Sequence, residues 1–347
     1  MADPRILITG AGSGVGQGIL KSLRLSKRSL RLIMGDVHPL NSGLFRSDES
    51  LMIPRVESPN SLEEMIDVLN HGHIDMVLVG SEFDLDFFSK NRTVLESKTK
   101  AIIVASPHET VKLSNDKWLT YEFLKNAGIR CPQTHIVSNM DEALKIATDM
   151  GYPLVLKTRT GTSSRHVHVV KNEQDLIAHF PTTPRPILQE MIATPRDQLD
   201  AEYTCSIFKT KEGQLLGPFT ARRTLRGGSS WMIEVAPFQE LNSLLLEIGE
   251  KLPFMGSLNV QLMIGPKGPI PFEFNARFSG TTAVRAHYGF NEPDMVVRNY
   301  LFNEVLEQPQ IQSGVAMRYL EEVFIDGVSA EQLLSDQSSR GIVRTWY

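Results

Sequence analysis

The first third of the chain alternates short apolar runs with segments whose apolar residues recur every three or four positions. Within residues 61–71, for example, Leu62, Met65, Ile66 and Leu69 fall on one face of a helix. The runs predict strands at 5–9, 31–35, 74–79 and 100–104, and the periodic segments predict helices at 15–26, 61–71 and 84–96. Such alternation is typical of a parallel sheet with right-handed helical crossovers. The N-terminal part is therefore predicted to be an α/β domain.

The pattern changes near residue 112. Asn115 or Asp116 is expected to cap a helix that runs to about Asn126, where Gly128 ends it. After about residue 202 the chain becomes rich in strand patterns, which a helix near 239–251 interrupts. We therefore expect an α/β domain over residues 1–112 and an α+β body over 113–307, with subdomains at about 113–187 and 188–307. Residues 308–347 are expected to extend that body.

Three polar residues share one face of a predicted strand near position 273. Glu273, Asn275 and Arg277 alternate with apolar residues, and alternate side chains of a strand point the same way. Mg²⁺ takes oxygen ligands, usually one or two from the protein and the rest from phosphate and water. Glu273 and Asn275 offer such oxygens, and the guanidinium of Arg277 suits an anionic oxygen. The alternative is a solvated polar face on an edge strand.

The preceding strand pattern, at 257–264, is expected to form a hairpin with this strand. A five-residue loop over 265–269 places Gln261 opposite Glu273, and Gln261 then completes the predicted metal set. The same alternation puts Phe272 on the opposite, buried face. The hairpin therefore predicts one carboxylate and two amides converging on a single patch.

Two lysines and a hydroxyl-rich loop lie upstream of this hairpin. Lys117 begins a predicted helix, Lys157 ends the strand "YPLVLK", and the loop that follows contains Gly161, Ser163 and Ser164. Backbone amides, hydroxyls and cations that converge on one point can hold a phosphate. The alternative for the loop alone is an ordinary surface turn.

Taken in this order, these residues resemble the ATP-grasp superfamily, in the branch similar to the carbamoyl-phosphate synthase large subunit. The resemblance runs from the opening strand to about residue 307, and the string "EFNARFSGTT" is its most specific part. It implies a Rossmann-like pre-ATP-grasp domain followed by an ATP-grasp domain. It also implies an enzyme that uses ATP and Mg²⁺, with Mn²⁺ as a substitute, to activate a carboxylate as an acyl phosphate. An amine or similar nucleophile would then attack, with release of ADP and phosphate.

The resemblance also implies a role for each matching residue. Lys157 and Arg277 are the expected catalytic residues. The expected ATP-binding residues are Lys117, Lys157, Gly161, Ser163, Ser164, Gln189, Glu190, Met191, Ile192 and Glu202, and the expected metal ligands are Gln261, Glu273 and Asn275. Within the ATP-binding set, the resemblance implies that the hinge at 188–192 binds adenine through backbone atoms and that Glu202 holds the ribose hydroxyls. The loop departs from the family pattern because Thr158 stands where a proline is common and because it has one glycine. For the acceptor substrate we look to Arg223, Gly228, Ser279, Gly280 and Arg285, with ordinary strand-end polarity as the alternative.

The glycine-rich turn "ITGAGSGVGQG" supports a rival hypothesis, an NAD(P)-binding oxidoreductase. Thr9 and the following glycines fit a dinucleotide-binding turn, and Asp36 stands where a ribose carboxylate is expected. Tyr121 and Lys125 are better explained as neighbours on a helix surface. We expect the turn to be structural and to frame the acceptor side of the cleft. A nucleotide-binding module without catalytic activity is the second rival.

Composition narrows the class of protein without identifying substrates. The 347 residues carry a formal net charge of −4 and 41% hydrophobic residues. This balance argues against a general nucleic-acid or membrane-surface binder and favours small-molecule partners. The only two cysteines, Cys131 and Cys205, have no metal-site spacing and suit a reducing cytoplasm. A homodimer is one possible assembly, which the sequence does not determine.

Overall fold

The computed structural model describes residues 3–161, 166–194, 201–335 and 341–345. Its first sheet has five parallel strands in the order β3-β2-β1-β4-β5, which confirms the predicted α/β domain. The elements are β1 (Arg5–Thr9), α1 (Gly14–Leu23), β2 (Arg31–Asp36), β3 (Glu49–Met52), α2 (Ser61–His71), β4 (Met76–Leu78), α3 (Glu82–Lys98) and β5 (Ile102–Val104). The edge strand β3 was not predicted, because its four residues are too few to show a clear alternation.

Two helices lead from the first sheet to the second. They are α4 (His108–Asn115) and α5 (Lys117–Asn126). The side chain of Asp116 accepts hydrogen bonds from the backbone N–H groups of Trp118 and Leu119 at 3.0 and 3.3 Å. Asp116 thus caps α5, as the sequence predicts, and fixes Lys117 at the first helical position.

The second sheet is antiparallel, with the order β6-β9-β7-β8. Its elements are β6 (Thr134–Ile136), α6 (Met140–Met150), β7 (Leu154–Thr158), β8 (Val167–Val170), α7 (Glu173–His179) and β9 (Pro186–Glu190). Apolar residues from its helices and strands, including Val137, Ala147, Leu156 and Leu188, form a core of their own. This sheet presents Lys157 at the end of a central strand.

The third sheet is the largest, with the order β15-β14-β10-β12-β13-β16 and β11 paired with β10. Its elements are β10 (Glu202–Lys209), β11 (Leu215–Phe219), β12 (Ala221–Arg226), β13 (Ser229–Val235), α8 (Asn242–Lys251), β14 (Gly256–Gly265), β15 (Gly268–Asn275), α9 (Thr282–His287), α10 (Glu292–Val296) and β16 (Gly314–Met317). A π-helical turn, Val297–Leu301, follows α10, and β17 (Val323–Asp326), α11 (Ala330–Ser335) and β18 (Ile342–Thr345) come last. Antiparallel pairing in this sheet brings β10, β14 and β15 side by side.

The first and third sheets share one hydrophobic core. Ile6 and Ile8 of β1 belong to the same buried cluster as Phe208, Phe219 and Phe290 of the body. The N-terminal domain and the body are therefore packed directly against each other. No helix in the described part of the chain is long and apolar enough to cross a membrane.

Candidate active site

A β-bulge sets the positions of the polar side chains on the β14–β15 hairpin. Gln261 lies opposite Glu273, as predicted, but the turn has two residues rather than five, because Gly265 pairs with Gly268. The extra residue is Phe272, where the register shifts. The predicted five-residue loop was therefore wrong, and the bulge is what restores the predicted Gln261–Glu273 pair.

The bulge also turns Phe272 away from the core in which it was expected. Phe274 is fully buried with the apolar residues of the third sheet, whereas Phe272 is only half-buried and its ring lies 5.7 Å from the Nζ of Lys157. Phe272 thus faces the cleft between the second and third sheets. A cation over an aromatic face is stabilised by the ring's negative π face.

Glu273 is the carboxylate at the centre of this polar face. Its Oε1 accepts a hydrogen bond from Gln261 Nε2 at 3.0 Å and one from Asn275 Nδ2 at 3.2 Å. The two amides orient the carboxylate on a strand pair whose opposite face is packed apolar core. Glu273 is therefore held in one direction before any ligand binds.

Arg277 extends the same network towards the N-terminal domain. Its Nη2 donates to Asn275 Oδ1 at 3.0 Å, and its Nη1 donates to the backbone oxygen of Phe278 at 2.8 Å. The guanidinium also forms an ion pair with Glu82, at the first turn of α3. Arg277 thus joins the polar face of the third sheet to the carboxyl end of the first.

On its other side the network reaches Glu202. Arg223 forms an ion pair with Glu202 and donates to Gln261 Oε1 at 3.0 Å and to Ser230 Oγ at 3.0 Å. Glu202, predicted to hold the ribose, is therefore paired with a residue predicted for the acceptor.

Lys157 reaches this face from the second sheet. Its side chain is 6% exposed, and burial, followed by repulsion from Lys117, lowers its pKa to about 8. Attraction to Glu273 and Glu202 acts in the opposite direction. The structure thus brings both predicted lysines and both carboxylates close enough to interact.

Lys117 lies beside the start of the predicted phosphate loop. Its Nζ donates to the backbone oxygen of Gly161 at 3.1 Å. The neighbouring Asp116 accepts two hydrogen bonds from Arg159 Nε, at 2.8 and 2.7 Å, which ties the helix start to the loop. Ser163 and Ser164, also predicted for this loop, lie outside the described residues.

The predicted adenine hinge leaves β9 at the edge of the same cleft. Gln189 is buried and donates to Thr134 Oγ1 at 2.8 Å, whereas the carboxylate of Glu190 accepts from the Gln133 N–H at 3.0 Å. Met191 and Ile192 follow the strand, and a Cβ placed on Gly265 would lie 3.7 Å from Ile192 Cγ2. The hinge therefore passes over the tip of the β14–β15 hairpin.

The residues predicted for the acceptor fall into two groups. Ser279 and Gly280 lie between Arg277 and α9, and Gly228 occupies the β12–β13 turn with a φ of +74°. Arg285 does not join them, because it is 0% exposed and forms an ion pair with the equally buried Glu292. The assignment of Arg285 to an acceptor site is therefore corrected: its guanidinium also donates to Asn259 and holds the core together.

The glycine-rich turn is closed by contacts within its own domain. Asp36 accepts hydrogen bonds from the backbone N–H groups of Gly12 and His38 at 2.9 and 3.1 Å. A Cβ on Gly12 would lie 2.6 Å from the side chain of Asn41, which fills the space beside the turn. The carboxylate expected on a dinucleotide ribose is thus committed to holding the turn, and the structure does not favour the oxidoreductase hypothesis.

Two protein-family models match this chain. A model of the ATP-grasp domain matches residues 114–281, which contain every predicted lysine and metal ligand, and a model of the PylC-like N-terminal domain matches residues 6–103. Residues 114–281 therefore form a domain of the ATP-grasp family. The resemblance inferred from its motifs is confirmed.

The curated relatives that span most of this chain have low sequence identity to it. The carbamoyl phosphate synthase large chain of Helicobacter pylori is 22% identical over 302 residues, which are 80% of this chain and 27% of that protein. The chain spans about a quarter of the length of such relatives. Among solved structures, N5-carboxyaminoimidazole synthetase from Staphylococcus aureus, complexed with ADP, gives a TM-score of 0.73 at 16% identity, over 91% of this chain and 82% of that one.

A second similar structure contains magnesium. The biotin carboxylase domain dimer of 2-oxoglutarate carboxylase from Hydrogenobacter thermophilus, in complex with MgADP, ADP and bicarbonate, gives a TM-score of 0.72 at 16% identity, over 100% of this chain and 84% of that one. Both structures therefore share the two-domain fold of this chain.

The side-chain oxygens on the β14–β15 hairpin fit an Mg²⁺ ion that is also bound by a nucleotide. The described residues contain no group of three or more His, Cys, Asp or Glu that could hold a metal ion. Glu273 supplies one carboxylate, and Gln261 and Asn275 supply amide oxygens that at present accept hydrogen bonds from Arg223 and Arg277. Mg²⁺ commonly uses few protein ligands and several phosphate or water oxygens, so this set suits a nucleotide-bound ion.

Glu82 and Phe272 are site residues that the sequence did not reveal. Glu82 lies 195 positions before its partner Arg277, and only the tertiary fold joins them. A capping signal, Ser81 followed three residues later by Asp84, does predict a helix start here, at the carboxyl end of β4. Phe272 depends on a bulge that alternation does not disclose.

Proposed function

We propose that this chain is an ATP-dependent ligase that activates a carboxylate as an acyl phosphate and couples it to an amine or similar nucleophile. The observation that carries the proposal is the convergence of Lys157, Glu273 and Arg277 on one cleft between two sheets. Lysine, carboxylate and arginine in one partly buried place are the groups that phosphoryl transfer requires.

In the proposed reaction, a carboxylate oxygen of the substrate attacks the γ-phosphorus of ATP. The bond from that phosphorus to the bridging oxygen breaks, and ADP leaves with the electron pair. The amine nitrogen then attacks the acyl carbon, the carbon–oxygen bond to phosphate breaks, and inorganic phosphate and a proton are released. Positioning and charge stabilisation supply most of the rate in such a sequence.

The residues of this chain would divide the work by position. Lys117 and Lys157 would bind the phosphates, and Arg277 would steady the transferred group after releasing Glu82. Glu273, Asn275 and Gln261 would hold Mg²⁺, which supplies charge neutralisation between phosphates; Mn²⁺, which also accepts oxygen ligands, would serve as a substitute. The hinge at Gln189–Ile192 would border adenine.

We propose the domain division 1–112, 113–307 and 308–347, with subdomains at about 113–187 and 188–307. The first sheet lies wholly within residues 1–112, and β16 of the last segment pairs with β13 of the body, as an extension of that body would. The ATP would bind between the second and third sheets. A homodimer is the first assembly to test, and the cytoplasm is the expected location, since both cysteines are free thiols.

A screen for ADP release tests this function. Purified protein with MgATP is offered carboxylates singly and together with amines, and ADP is measured by a coupled assay. We expect one combination to accelerate ADP release, and Glu273→Gln or Lys157→Ala to reduce it by about a hundredfold or more. The first change removes the charged ligand proposed for Mg²⁺, and the second removes a cation proposed to bind phosphate. Circular dichroism should show both variants folded.

An exposed ion pair on α4 provides matched controls. Glu109→Gln and Lys112→Ala make the same changes in a solvent-exposed pair and should leave ADP release within about twofold of wild type. Normal turnover in both site variants would overturn the proposed function. MgATP binding without ADP release under every combination would instead favour the non-catalytic module.

A further inference from the structure

Arg318, in the C-terminal extension, is fixed against the body beside the proposed acceptor region. It directly follows β16, and its backbone N–H donates to the Trp231 oxygen at 2.9 Å. One guanidinium nitrogen donates to the backbone oxygen of Gly280. Its Nε is buried and has no hydrogen-bond partner among the described residues. A rigidly held guanidinium therefore retains an unused donor.

The surroundings of Arg318 are positive. Burial lowers the pKa of Arg318, and repulsion from Arg223 lowers it further. Burial also lowers the pKa of Lys21, followed by repulsion from Arg46 and Arg318, with Glu321 acting in the opposite direction. These three cations, Lys21, Arg46 and Arg318, are called the rim cluster below.

The rim cluster differs from the other cations near the cleft. Arg223 and Arg277 have the carboxylates of Glu202 and Glu82 as partners. In the part of the chain that the structure describes, no member of the rim cluster forms an ion pair within 4.0 Å. Among the charges that act on Lys21, Arg46 and Arg318 are positive and Glu321 is negative, so the local potential stays positive and attracts an anion.

The position of the rim cluster links it to the proposed chemistry. A Cβ on Gly18 of α1 would lie 3.8 Å from Thr282 Cβ and 4.0 Å from the Ser279 oxygen, so α1 packs on the loop that carries Gly280. Lys21 lies one turn further along α1. The cluster therefore lies where the N-terminal domain, the body and the extension meet, and Arg223 connects it to Gln261 of the metal face.

We propose that Arg318, Lys21 and Arg46 bind an oxyanion group, a carboxylate or a phosphate, of the acceptor substrate. This inference rests on the proposed ligase function and narrows its nucleophile to an amine that carries a negative charge. Arg318 is the central contact because its planar guanidinium can offer Nε and a terminal nitrogen to two oxygens of one group. Lys21 and Arg46 contribute charge from the opposite domain.

Direct anion binding tests the site without requiring turnover. The protein is saturated with Mg²⁺ and a non-hydrolysable ATP analogue, and its melting temperature is followed against inorganic phosphate in one arm and succinate in the other. We expect stabilisation in at least one arm, which identifies the preferred oxyanion. Arg318→Gln should weaken the apparent affinity at least about tenfold, as expected for loss of a charged hydrogen-bonding partner.

The variants are chosen to separate a binding role from a folding role. Lys21→Gln with Arg46→Gln alters the site from the other domain and should weaken the same anion if Arg318→Gln is poorly folded. Arg24→Gln is the matched control, because Arg24 directly follows α1 but is exposed and pairs with Asp48. Undiminished binding in Arg318→Gln and in the double variant would overturn the proposal, as would no stabilisation of the wild type by either anion.

A kinetic arm separates failure of this inference from failure of the proposed function. Amino acids are compared with their amides as acceptors, and Arg318→Gln should raise KM about tenfold for the charged acceptors and leave it unchanged for the neutral ones. If Arg318→Gln releases ADP and still prefers charged over neutral acceptors as the wild type does, the oxyanion site is refuted and the ligase function stands. Arg318-dependent anion binding without any ADP release refutes the ligase function and leaves the oxyanion site standing.

Discussion

Two buried cations, Arg285 and Lys157, show opposite ways of placing positive charge in the interior. Arg285 and its partner Glu292 are both 0% exposed, and Glu292 also accepts hydrogen bonds from Ser206 and Ser257. Lys157 is 6% exposed and has no ion pair among the described residues. The positive charge of Arg285 is therefore balanced by Glu292, whereas the positive charge of Lys157 has no ion-pair partner among the described residues. The difference separates a structural cluster from a place where a ligand supplies the missing charge.

The balanced cluster should be the more costly one to break. Removing one partner of a buried ion pair strands the other charge, so Glu292→Ala should lower the free energy of unfolding by about 3–5 kcal/mol in urea denaturation. Arg285→Met combined with Glu292→Leu should cost less than the single change, because no charge is left buried. Asp326→Ala, at the exposed Arg344–Asp326 pair, should cost less than about 1 kcal/mol. A double variant as unstable as Glu292→Ala would remove the contrast.

The unbalanced cation should instead appear in the pH dependence of nucleotide binding. With its pKa lowered to about 8, Lys157 loses its proton as the pH rises through that value, and the affinity for MgATP should then fall about tenfold per pH unit. Isothermal titration calorimetry between pH 7 and 10 measures this change. Lys157→Arg, which stays charged, should show a flatter profile. An equally steep fall in that variant would assign the titration to another group.

The same shift has a consequence for stability with a fixed sign. Between pH 8 and the ordinary lysine value of about 10.5, the unfolded chain binds more protons at Lys157 than the folded one. The contribution of this lysine therefore destabilises the folded protein below pH 8, and this cost diminishes as the pH rises to about 10.5.

A smaller effect is expected at the Glu82–Arg277 ion pair, which combines the two cases: the arginine has a carboxylate partner and is also proposed to bind a ligand. The pair is neither fully buried nor open, with side chains 23% and 13% exposed. Under the proposed role of Arg277, its guanidinium leaves Glu82 to meet a phosphate, so Glu82→Gln should raise the affinity for MgATP two- to tenfold, within the range of a partly exposed charge pair. Glu49→Gln, which breaks the Arg5–Glu49 pair in the same domain, should leave it unchanged. Weaker MgATP binding in Glu82→Gln would mean that Glu82 holds Arg277 in its working position.

The sequence predicted the parallel sheet, the capped helix at Lys117 and the polar face at Glu273, because each depends on local periodicity. It did not predict the bulge at Phe272, since an inserted residue leaves the alternation on each side intact. Arg285 was misassigned because arginine is rarely fully buried, and only the packing of α9 against α10 and β14 shows its partner. The contact of Glu82 with Arg277 joins parts of the chain that no local pattern relates.

The core shared by the first and third sheets bears on how proteins of this kind can be recombined. Exchanging residues 1–112 for the equivalent part of a relative would pair a foreign β1 surface with Phe208, Phe219 and Phe290, and so would cut through a single packed interior. The second sheet has a core of its own and would be the easier segment to transplant. Chimeras that aim to change the proposed acceptor site should therefore keep residues 1–112 together with the third sheet. Those that aim to change the proposed nucleotide contacts can exchange the second sheet alone.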